Sequence, residues 1–389
     1  MRRLLLIAAA VLLLAGQGWA ATTVIRYVDP NSAACTGANC GTTNALSSAD
    51  NTHAYPSLFA WEAARQRNLV TADEIERVIC SSDDAGSTHA ADTTGVTIDG
   101  WTTDATRYIQ IEAASSHGGK WNESIYRRDG AARLQIGESF VNVIGIQIRI
   151  TSAATRSLFI NGAGVNGTIN ISNCYLESSG SGSSHILDVY SIAATTVNVY
   201  NTISVNVTGS GRYAFYVNDA DATVNLYNCT GINKYNNSTS RTFMVDAGTM
   251  NLANCLGVAS GTSPAFYKAA AATVSASYCA SDDATADDWG GSGNRINQAF
   301  TFVDEANNDF HLASDDGGAR DFGVSDPGSG LYSDDIDGVT RTGTWDIGAD
   351  EYVAAGGSAI KAVLGLAKAF VKTVNGLAIG SVKSINGLQ

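Results

Sequence analysis

Four aspartates recur near the ends of one predicted strand in successive copies of a repeat: Asp188, Asp219, Asp221 and Asp246. The neighbouring predicted loops carry further basic side chains: His185, Arg212, Lys234 and Arg241. Two carboxylates a few ångströms apart can serve as acid and base in glycoside hydrolysis. Carboxylates beside an arginine could instead bind Ca²⁺ and abstract a proton. The four aspartates are therefore the candidate catalytic residues, and Ca²⁺ is the one cofactor that this chemistry could call for.

Six further positions are predicted to point outward from the strands: Tyr200, Tyr216, Tyr227, Tyr267, Asn198 and Asn225. Amphipathic aromatic rings suit stacking on sugar rings, and a regular row of amides suits a repeating polymer. Each group also has a purely structural interpretation. Tyrosine favours half-exposed strands, and stacked asparagines can hydrogen-bond to one another along a sheet. Both interpretations stay open at this stage.

A repeat must position these side chains, and it returns every 24 to 28 residues. Its copies begin at Val141, Ile169, Val197, Val224, Met250 and Val274, at separations of 28, 28, 27, 26 and 24 residues. A second series runs in phase with the first: Phe159, Leu187, Phe215, Phe243 and Phe266. Each copy alternates apolar and polar residues, which is the period of a strand with one buried face. Self-similarity at this period predicts a solenoid.

One position in each copy predicts a sharp bend. It is occupied by Gly145, Asn173, Asn201, Asn228, Asn254 and Tyr278. Glycine and asparagine enter the left-handed αL region most readily. Short strands, one bend of fixed chemistry and loops of variable length predict a parallel β-helix with coils about 4.8 Å apart.

With this repeat, the chain resembles the right-handed parallel β-helix superfamily of pectate-lyase-like proteins over roughly residues 96–280. In that family a ladder of asparagines stacks at one tight bend, which Asn173, Asn201, Asn228 and Asn254 match. The segment 335–352, which contains Asp-Ile-Gly-Ala-Asp-Glu-Tyr, is similar to the closing segment of many exported bacterial β-helix proteins. Residues 55–64 resemble the short helix that covers the first coil in that group. The resemblance implies an all-β, single-stranded parallel β-helix with an N-terminal capping helix.

The catalytic signatures of that superfamily are missing from this chain. The sequence contains neither the Asn-Thr-Asp, Asp-Asp, Gly-His-Gly and Arg-Ile-Lys set of the polygalacturonases nor the Trp-Ile-Asp-His segment of pectate lyases. The acidic pairs Asp282-Asp283, Asp287-Asp288 and Asp315-Asp316 fall outside the regular coils, as solvated loops or weak Ca²⁺ sites. The resemblance therefore implies a fold without identifying an activity.

The first 20 residues have the pattern of a secretory signal peptide, with Arg2 and Arg3 before an apolar run and a small-x-small ending at Ala20. Export permits disulfides, and Cys35 and Cys40 are the predicted pair. The repeat cysteines Cys174, Cys229, Cys255 and Cys279 are predicted to be buried free thiols, because stacked Cβ atoms lie farther apart than a disulfide allows. The histidines show no metal-ligand spacing, so no metal site is predicted: His53, His89, His117, His185 and His311.

The formal net charge of −13 argues against nucleic acid as a partner, because phosphates would be repelled. It also disfavours a polyanionic substrate. Five regions are expected: a signal peptide (1–20), a cap region (21–95), the coils (96–280), a closing segment (281–353), and a linker with a tail (354–389). The tail repeats every 11 residues, with Gly365, Gly376 and Gly387 aligned, and its Asn-Gly pairs suggest helical turns ending in αL caps. It is either an oligomerisation element, a surface anchor or a disordered extension.

These features predict a secreted or cell-surface β-helix protein that binds polysaccharide or plays a structural or adhesive role without catalysis. The alternative is a polysaccharide lyase or glycoside hydrolase whose motifs have drifted. One scaffold hosts many functions, so the fold does not decide between them.

Overall fold

The computed structural model describes residues 20–354 except 36, 38, 49–50, 83–88, 153–155, 181–184 and 210, and in the tail residues 362–363, 366–367, 373–374 and 377–378. The predicted signal peptide thus lies outside the described residues, apart from Ala20. No helix among the described residues is both long enough and apolar enough to cross a membrane.

The cap region and the coils consist of strands β1 to β21, with helices α1 (Leu58–Arg65) and α2 (Leu69–Ala72) between the first two. The strands are β1 (Thr22–Val28), β2 (Glu74–Cys80), β3 (Val96–Ile98), β4 (Ile109–Ala113), β5 (Arg128–Gly130), β6 (Leu134–Ile136), β7 (Val141–Ile144), β8 (Gln147–Ile150), β9 (Leu158–Gly162), β10 (Thr168–Ser172), β11 (Tyr175–Ser178), β12 (Leu187–Ile192), β13 (Thr195–Tyr200), β14 (Ile203–Asn206), β15 (Tyr213–Tyr227), β16 (Thr230–Asn233), β17 (Arg241–Ala253), β18 (Leu256–Val258), β19 (Phe266–Lys268), β20 (Thr273–Ser277) and β21 (Ala280–Ser281).

These strands stack in parallel into two sheets, one of 14 strands and one of seven, in the order β21-β18-β16-β14-β11-β8-β5. In the larger sheet, each first residue of the repeat pairs with its predicted counterpart, as Ile169 does with Val141 and with Val197. The pairing continues through Val224, Met250 and Val274. The predicted parallel β-helix is therefore confirmed, together with the register of its main row.

The second row is confirmed except at its first member. Leu187 pairs with Leu158, and the following residue, Asp188, pairs with Phe159. Phe159 is therefore in the outward row, and Leu158 takes the inward position that was predicted for it. The aromatic type misled the alignment, because both residues of this pair are apolar and a slip of one residue reverses the face.

The predicted bends are confirmed. Gly145, four asparagines and Tyr278 all have left-handed φ values, between 47° and 68°. We call Asn173, Asn201, Asn228 and Asn254 the bend asparagines. The cysteine that follows a bend is buried and free at Cys174, Cys229, Cys255 and Cys279, as is Cys80, whereas Cys35 and Cys40 form the predicted disulfide.

The predicted capping helix is present as α1, and it begins three residues later than the sequence suggested. The Ser57 hydroxyl accepts a hydrogen bond from the Ala60 N–H at 3.1 Å, which caps the helix. Leu58 and Trp61 are buried and belong to the same core as the inward residues of the coils. The helix is therefore anchored by the solenoid core and not by local contacts alone.

The closing segment lies along the side of the smaller sheet. It contains β22 (Phe302–Asp304) and β23 (Asp309–Leu312), which pair antiparallel. Phe310, Ile336 and Ile347 pack on outward residues of that sheet such as Ile203 and Ile232, forming a second apolar core. The outward face of the smaller sheet is therefore buried and is not a binding surface at these positions.

The bend asparagines hold this segment in place. Among them, only the Asn254 and Asn228 amides are hydrogen-bonded to each other, at 3.2 Å. Asn173, Asn201 and Asn228 donate instead to the carbonyl oxygens of Asp335, Asp334 and Asp346, at 2.8, 2.5 and 2.9 Å. The ladder implied by the family resemblance is therefore replaced in large part by a docking strip for residues 324–348.

In the tail, the structure describes four two-residue strands, which pair as two short antiparallel units: β24 (Ala362–Val363) with β25 (Leu366–Ala367), and β26 (Thr373–Val374) with β27 (Leu377–Ala378). The predicted helical turns are wrong at these positions. The Asn-Gly pairs themselves lie outside the described residues.

Candidate functional site

One outward row of the larger sheet carries the candidate site. The register places five side chains side by side on β9, β12, β15, β17 and β19: Phe159, Asp188, Tyr216, Met244 and Tyr267. Adjacent strands are about 4.8 Å apart, so neighbouring side chains in this row are in contact distance. The strands thus form a continuous surface from residues that are far apart in sequence.

Tyr216 is the centre of this row. Its ring is almost buried, and its hydroxyl donates to Asp246 Oδ2 at 2.5 Å. Val217 pairs with Val245 while Asn218 pairs with Ala247, so Asp246 is the extra residue of a β-bulge. A bulge re-aims a side chain, which explains how Asp246 reaches the preceding coil. Burial, together with Asp246, raises the pKa of Tyr216 well above its usual value.

His185 lies on two tyrosine rings. It stacks on Tyr213 with centroids 4.4 Å apart and planes 3° from parallel, and its centroid is 4.2 Å from that of Tyr216. Burial, together with the positive charges of Arg156 and Arg212, lowers the pKa of His185 to about 3. The imidazole is therefore neutral at physiological pH and acts as a stacking side chain, not as a cation.

Asp188 is fully buried, with a side chain 0% exposed and paired with Arg156. Burial raises the pKa of Asp188 to about 6, against the opposing effect of Arg156. The Arg156 guanidinium lies 4.3 Å from the centroid of Phe159. This carboxylate is consequently out of reach of a polymer on the surface.

Two exposed tyrosine rings lie on this side of the sheet. Tyr267, at the end of the row, is 42% exposed, and Tyr190, two residues after Asp188 on β12, is 43% exposed. Arg241 lies 4.8 Å from the centroid of Tyr267 and donates to the carbonyl oxygens of Ser238 and Ser240, both at 2.8 Å. We call His185, Tyr190, Tyr213, Tyr216, Arg241 and Tyr267 the aromatic face. Tyr190 and Tyr213 were missed in the sequence, although the alternation of Leu187, Asp188 and Val189 would have put Tyr190 outward.

The structure does not bring the four candidate aspartates together as free carboxylates. Asp219 accepts from the backbone N–H groups of Ile192 and Asp221, at 3.0 and 2.9 Å, so it stabilises a turn. Asp221 itself is exposed. With Asp188 buried and Asp246 bound to Tyr216, none of these pairs offers an accessible acid and base.

The predicted basic residues do not form one group either. Arg212 is buried and donates to the hydroxyl of Ser178. Lys234 lies on the side of the closing segment, donating to Asn308 Oδ1 at 2.7 Å. Of the four basic residues, His185 and Arg241 belong to the aromatic face.

Two of the predicted sugar-binding tyrosines are covered. Tyr332 of the closing segment stacks on Tyr200 with centroids 5.0 Å apart, and its centroid is 6.5 Å from that of Tyr227. The Tyr332 hydroxyl donates to Asn228 Oδ1 at 2.7 Å. Tyr200 and Tyr227 therefore form a packing surface for the closing segment, which was not foreseeable from the repeat alone.

The outward asparagine row is hydrogen-bonded to itself. The amide of Asn198 donates to Asn170 at 3.0 Å, that of Asn225 donates to Asn198 at 3.0 Å, and that of Asn251 donates to Asn225 at 3.0 Å. These bonds use the amide groups along the sheet. Two members of the acidic pairs outside the coils likewise accept backbone hydrogen bonds: Asp283 from the Ala265 N–H at 2.8 Å and Asp316 from the Ala319 N–H at 2.8 Å.

The aromatic face continues towards the N-terminal cap. Phe159 pairs with Gln135, and Gln135 pairs with Thr97. Thr97 borders a cleft of about 500 Å³ between α1 and the sheet, with the exposed ring of Phe59 and the side chain of Arg133 in its lining. A second cleft of about 390 Å³ adjoins Thr97 and Gln135. The clefts and the aromatic face lie along one sheet face, parallel to the solenoid axis.

Comparison with known proteins yields little beyond the fold. No protein family matches the chain, and no curated protein is similar enough to count as a match. Among solved structures, the crystal structure of pectate lyase Pel9A matches at 12% identity and a TM-score of 0.32, covering 86% of this chain and 98% of that one. A likeness at this level says nothing about shared chemistry. The pairing of the chain's own strands is what makes it a parallel β-helix protein.

Proposed function

We propose that the chain is a non-catalytic polysaccharide-binding protein that holds a glycan chain along the aromatic face. The observation that carries the proposal is the exposed, arginine-braced ring of Tyr267 in the same strand row as Tyr216, whose ring contacts that of Tyr213, with the exposed ring of Tyr190 on the same sheet face. Rings of this kind present an apolar plane to a sugar and a hydroxyl to its polar groups.

The dimensions of the surface support an extended ligand. From Thr97 on β3 to Tyr267 on β19, the outward row crosses seven strands, which at about 4.8 Å a step spans about 29 Å. Strands in register repeat their outward positions at a constant interval. A periodic polymer is the class of ligand that matches such a surface.

Among the four candidate aspartates, the lack of an accessible pair favours binding over catalysis. Glycoside hydrolysis needs two carboxyl groups on either side of the scissile bond. Among the candidate aspartates, Asp188 is fully buried, Asp246 is engaged by Tyr216, and Asp219 is used by the backbone. The net charge of −13 further favours a neutral glycan, because a polyanion would be repelled over long distances.

Export and an extracellular location are part of the proposal. The N-terminal pattern ending at Ala20 supports it, as does the Cys35–Cys40 disulfide, since such bonds persist in oxidising compartments. Mass spectrometry of the protein recovered from its native host should find an N-terminus at Ala21. Retention of residues 1–20 would contradict cleavage of a signal peptide.

The test is to incubate the full mature chain with a panel of neutral and acidic polysaccharides, with and without Ca²⁺. Affinity electrophoresis measures retention, while ultraviolet absorbance of unsaturated ends and product size measure cleavage. We expect retention on at least one neutral polymer with no change in its size. Chain shortening would establish the enzymatic alternative, and a lack of retention on every polymer would overturn the proposal.

A further inference from the structure

Three segments of the chain bring metal-ligating side chains together beside the closing segment. His311 lies on β23, Asp337 lies in a later turn, and Asp350 lies in irregular chain near the end of the closing segment. One ligand atom of each residue falls within 4.8 Å of the other two. His311 Nε2 is 3.1 Å from Asp337 Oδ2. No sequence motif indicated this cluster, because the residues are 26 and 13 positions apart.

The orientation of His311 is fixed from behind. Its Nδ1 is bonded to Asp309 Oδ1, and the other oxygen of Asp309 accepts from Lys120 Nζ at 2.9 Å. The Nε2 atom is thereby turned towards Asp337. Histidines that bind metals usually have their second nitrogen held by a carboxylate in this way, which fixes the tautomer and the ring.

A second histidine stands beside the cluster with an unused nitrogen. His117 is 2% exposed, and its Nε2 donates to the carbonyl oxygen of Asn173 at 2.7 Å. Its Nδ1 has no hydrogen-bond partner among the described residues. Because Nε2 carries the proton, Nδ1 carries a lone pair, and a buried acceptor without a donor is costly. The imidazole interacts electrostatically with both Asp337 and His311.

The loop that contains His117 closes over the cluster. At Gly119, two residues further on, an added Cβ would overlap the imidazole of His311 and lie 3.2 Å from Asp337 Oδ1. Glycine at this position allows the backbone to approach the ligands directly. The cluster is therefore enclosed by the loop on one side and by the closing segment on the other.

We propose that His311, Asp337 and Asp350 bind one divalent transition-metal cation with a preference for nitrogen and oxygen ligands, as Zn²⁺ has, with His117 of the adjoining loop as a further donor. One imidazole and two carboxylates form a ligand set suited to such a metal and not to Ca²⁺, which takes oxygen ligands only. On binding, His311 Nε2 gives up the proton it shares with Asp337 and donates its lone pair to the cation. That proton is released to solvent.

The role of the cation is to tie β23 to the later part of the closing segment and, through His117, to the coils. His311, Asp337 and Asp350 all belong to the closing segment, whereas His117 belongs to a loop of the coils that is bonded to Asn173. A ligand that binds the folded state alone stabilises it in proportion to its concentration over its dissociation constant. This inference is independent of glycan binding.

The test uses the full mature chain without a histidine tag, stripped with EDTA and titrated with ZnCl₂ by isothermal calorimetry. We expect one Zn²⁺ per chain and a rise in thermal midpoint. The five free cysteines are buried, so they do not compete in the folded chain. Asp337 is partly exposed, so Asp337→Asn should fold normally and bind at least about tenfold more weakly.

Asp315→Asn is the matched control, an exposed aspartate of the same segment outside the cluster, and should bind as the parent does. His311→Ala should abolish binding, and X-ray absorption of the zinc-loaded parent should show a nitrogen and oxygen ligand set. The absence of calorimetric heat together with an unchanged midpoint would overturn the proposal. Equal affinity of Asp337→Asn and Asp315→Asn would do the same.

Discussion

Replacing Asn228 should loosen the closing segment more than replacing an asparagine of the outward asparagine row. Its amide donates to the carbonyl oxygens of Asp346 and Gly348 at 2.9 and 3.0 Å, and its Oδ1 accepts from Tyr332 and Asn254 at 2.7 and 3.2 Å. Each of these hydrogen bonds contributes about 1 kcal/mol net, so Asn228→Gly should lower the free energy of opening of the closing segment by about 3–4 kcal/mol.

A second variant separates hydrogen bonding from backbone strain. Asn228 has a φ of 47°, in the left-handed region that glycine adopts freely. Asn228→Ala should therefore cost about 1 kcal/mol more than Asn228→Gly. The control is Asn142→Ala, at the end of the outward asparagine row. The Asn142 side chain accepts one hydrogen bond, from the Asn170 amide at 2.9 Å. Its replacement should lower stability by about 1 kcal/mol.

The assay is native-state hydrogen exchange read by mass spectrometry over peptides of residues 319–352. Sub-global opening reports the stability of one packed unit without unfolding the rest. We expect exchange in these peptides to rise in the order Asn142→Ala, Asn228→Gly, Asn228→Ala, while β4 and β7 remain protected. Equal protection in the Asn142 and Asn228 variants would refute the docking role of the bend asparagines.

Three further predictions follow from the same contacts. Burial lowers the pKa of His185 to about 3 in the fold, so the unfolded chain binds the extra proton between about pH 6.5 and 3 and stability falls as the pH drops through that window. Urea unfolding of His185→Gln should show a shallower loss there, and an unchanged slope would contradict a buried neutral imidazole. Tyr332→Ala should expose Tyr200 and loosen residues 319–352 without weakening glycan retention, because Tyr332 is not part of the aromatic face. Weakened retention would show that the glycan binds beside Tyr332 and not on the aromatic face. Removal of residues 354–389 should lower the molar mass in light scattering by more than the mass of the deleted residues if the tail is an oligomerisation element, and a fall equal to that mass alone would exclude that role.

The sequence predicted the solenoid well because periodicity is a local signal repeated many times. Val141 and its counterparts alternate with polar residues, and left-handed bends favour glycine or asparagine, so the strands, their register and the bends could be predicted from the sequence. Phe159 shows the limit. Where two consecutive residues are apolar, as Leu158 and Phe159 are, the pattern does not say which one faces the core.

The candidate site was predicted in part. Tyr216, Tyr267, His185 and Arg241 do share a surface, because neighbours in a register row must be neighbours in space. The bulge that aims Asp246 at Tyr216 could not be read from the repeat, since it adds one residue to one coil.

Contacts made by irregular chain were beyond the sequence argument altogether. The closing segment has no period, so nothing indicated that Tyr332 would cover Tyr200 and Tyr227. The same is true of His311, whose carboxylate neighbours come from separate turns. Long-range packing of aperiodic segments depends on shape and hydrogen-bond matching, which leave no pattern in a single chain.

The most direct test of the account compares the glycan affinity of two variants that each lack one exposed aromatic side chain. Affinity is measured by calorimetry with a polymer that retains the parent protein. Tyr267 and Phe322 are 42% and 41% exposed, and each has an arginine over its ring, but only Tyr267 lies on the aromatic face. The account predicts that Tyr267→Ala weakens binding about tenfold, or about 1.4 kcal/mol, and that Phe322→Ala leaves it unchanged. Equal affinities for the two variants would contradict the assignment of the aromatic face as the glycan-binding surface.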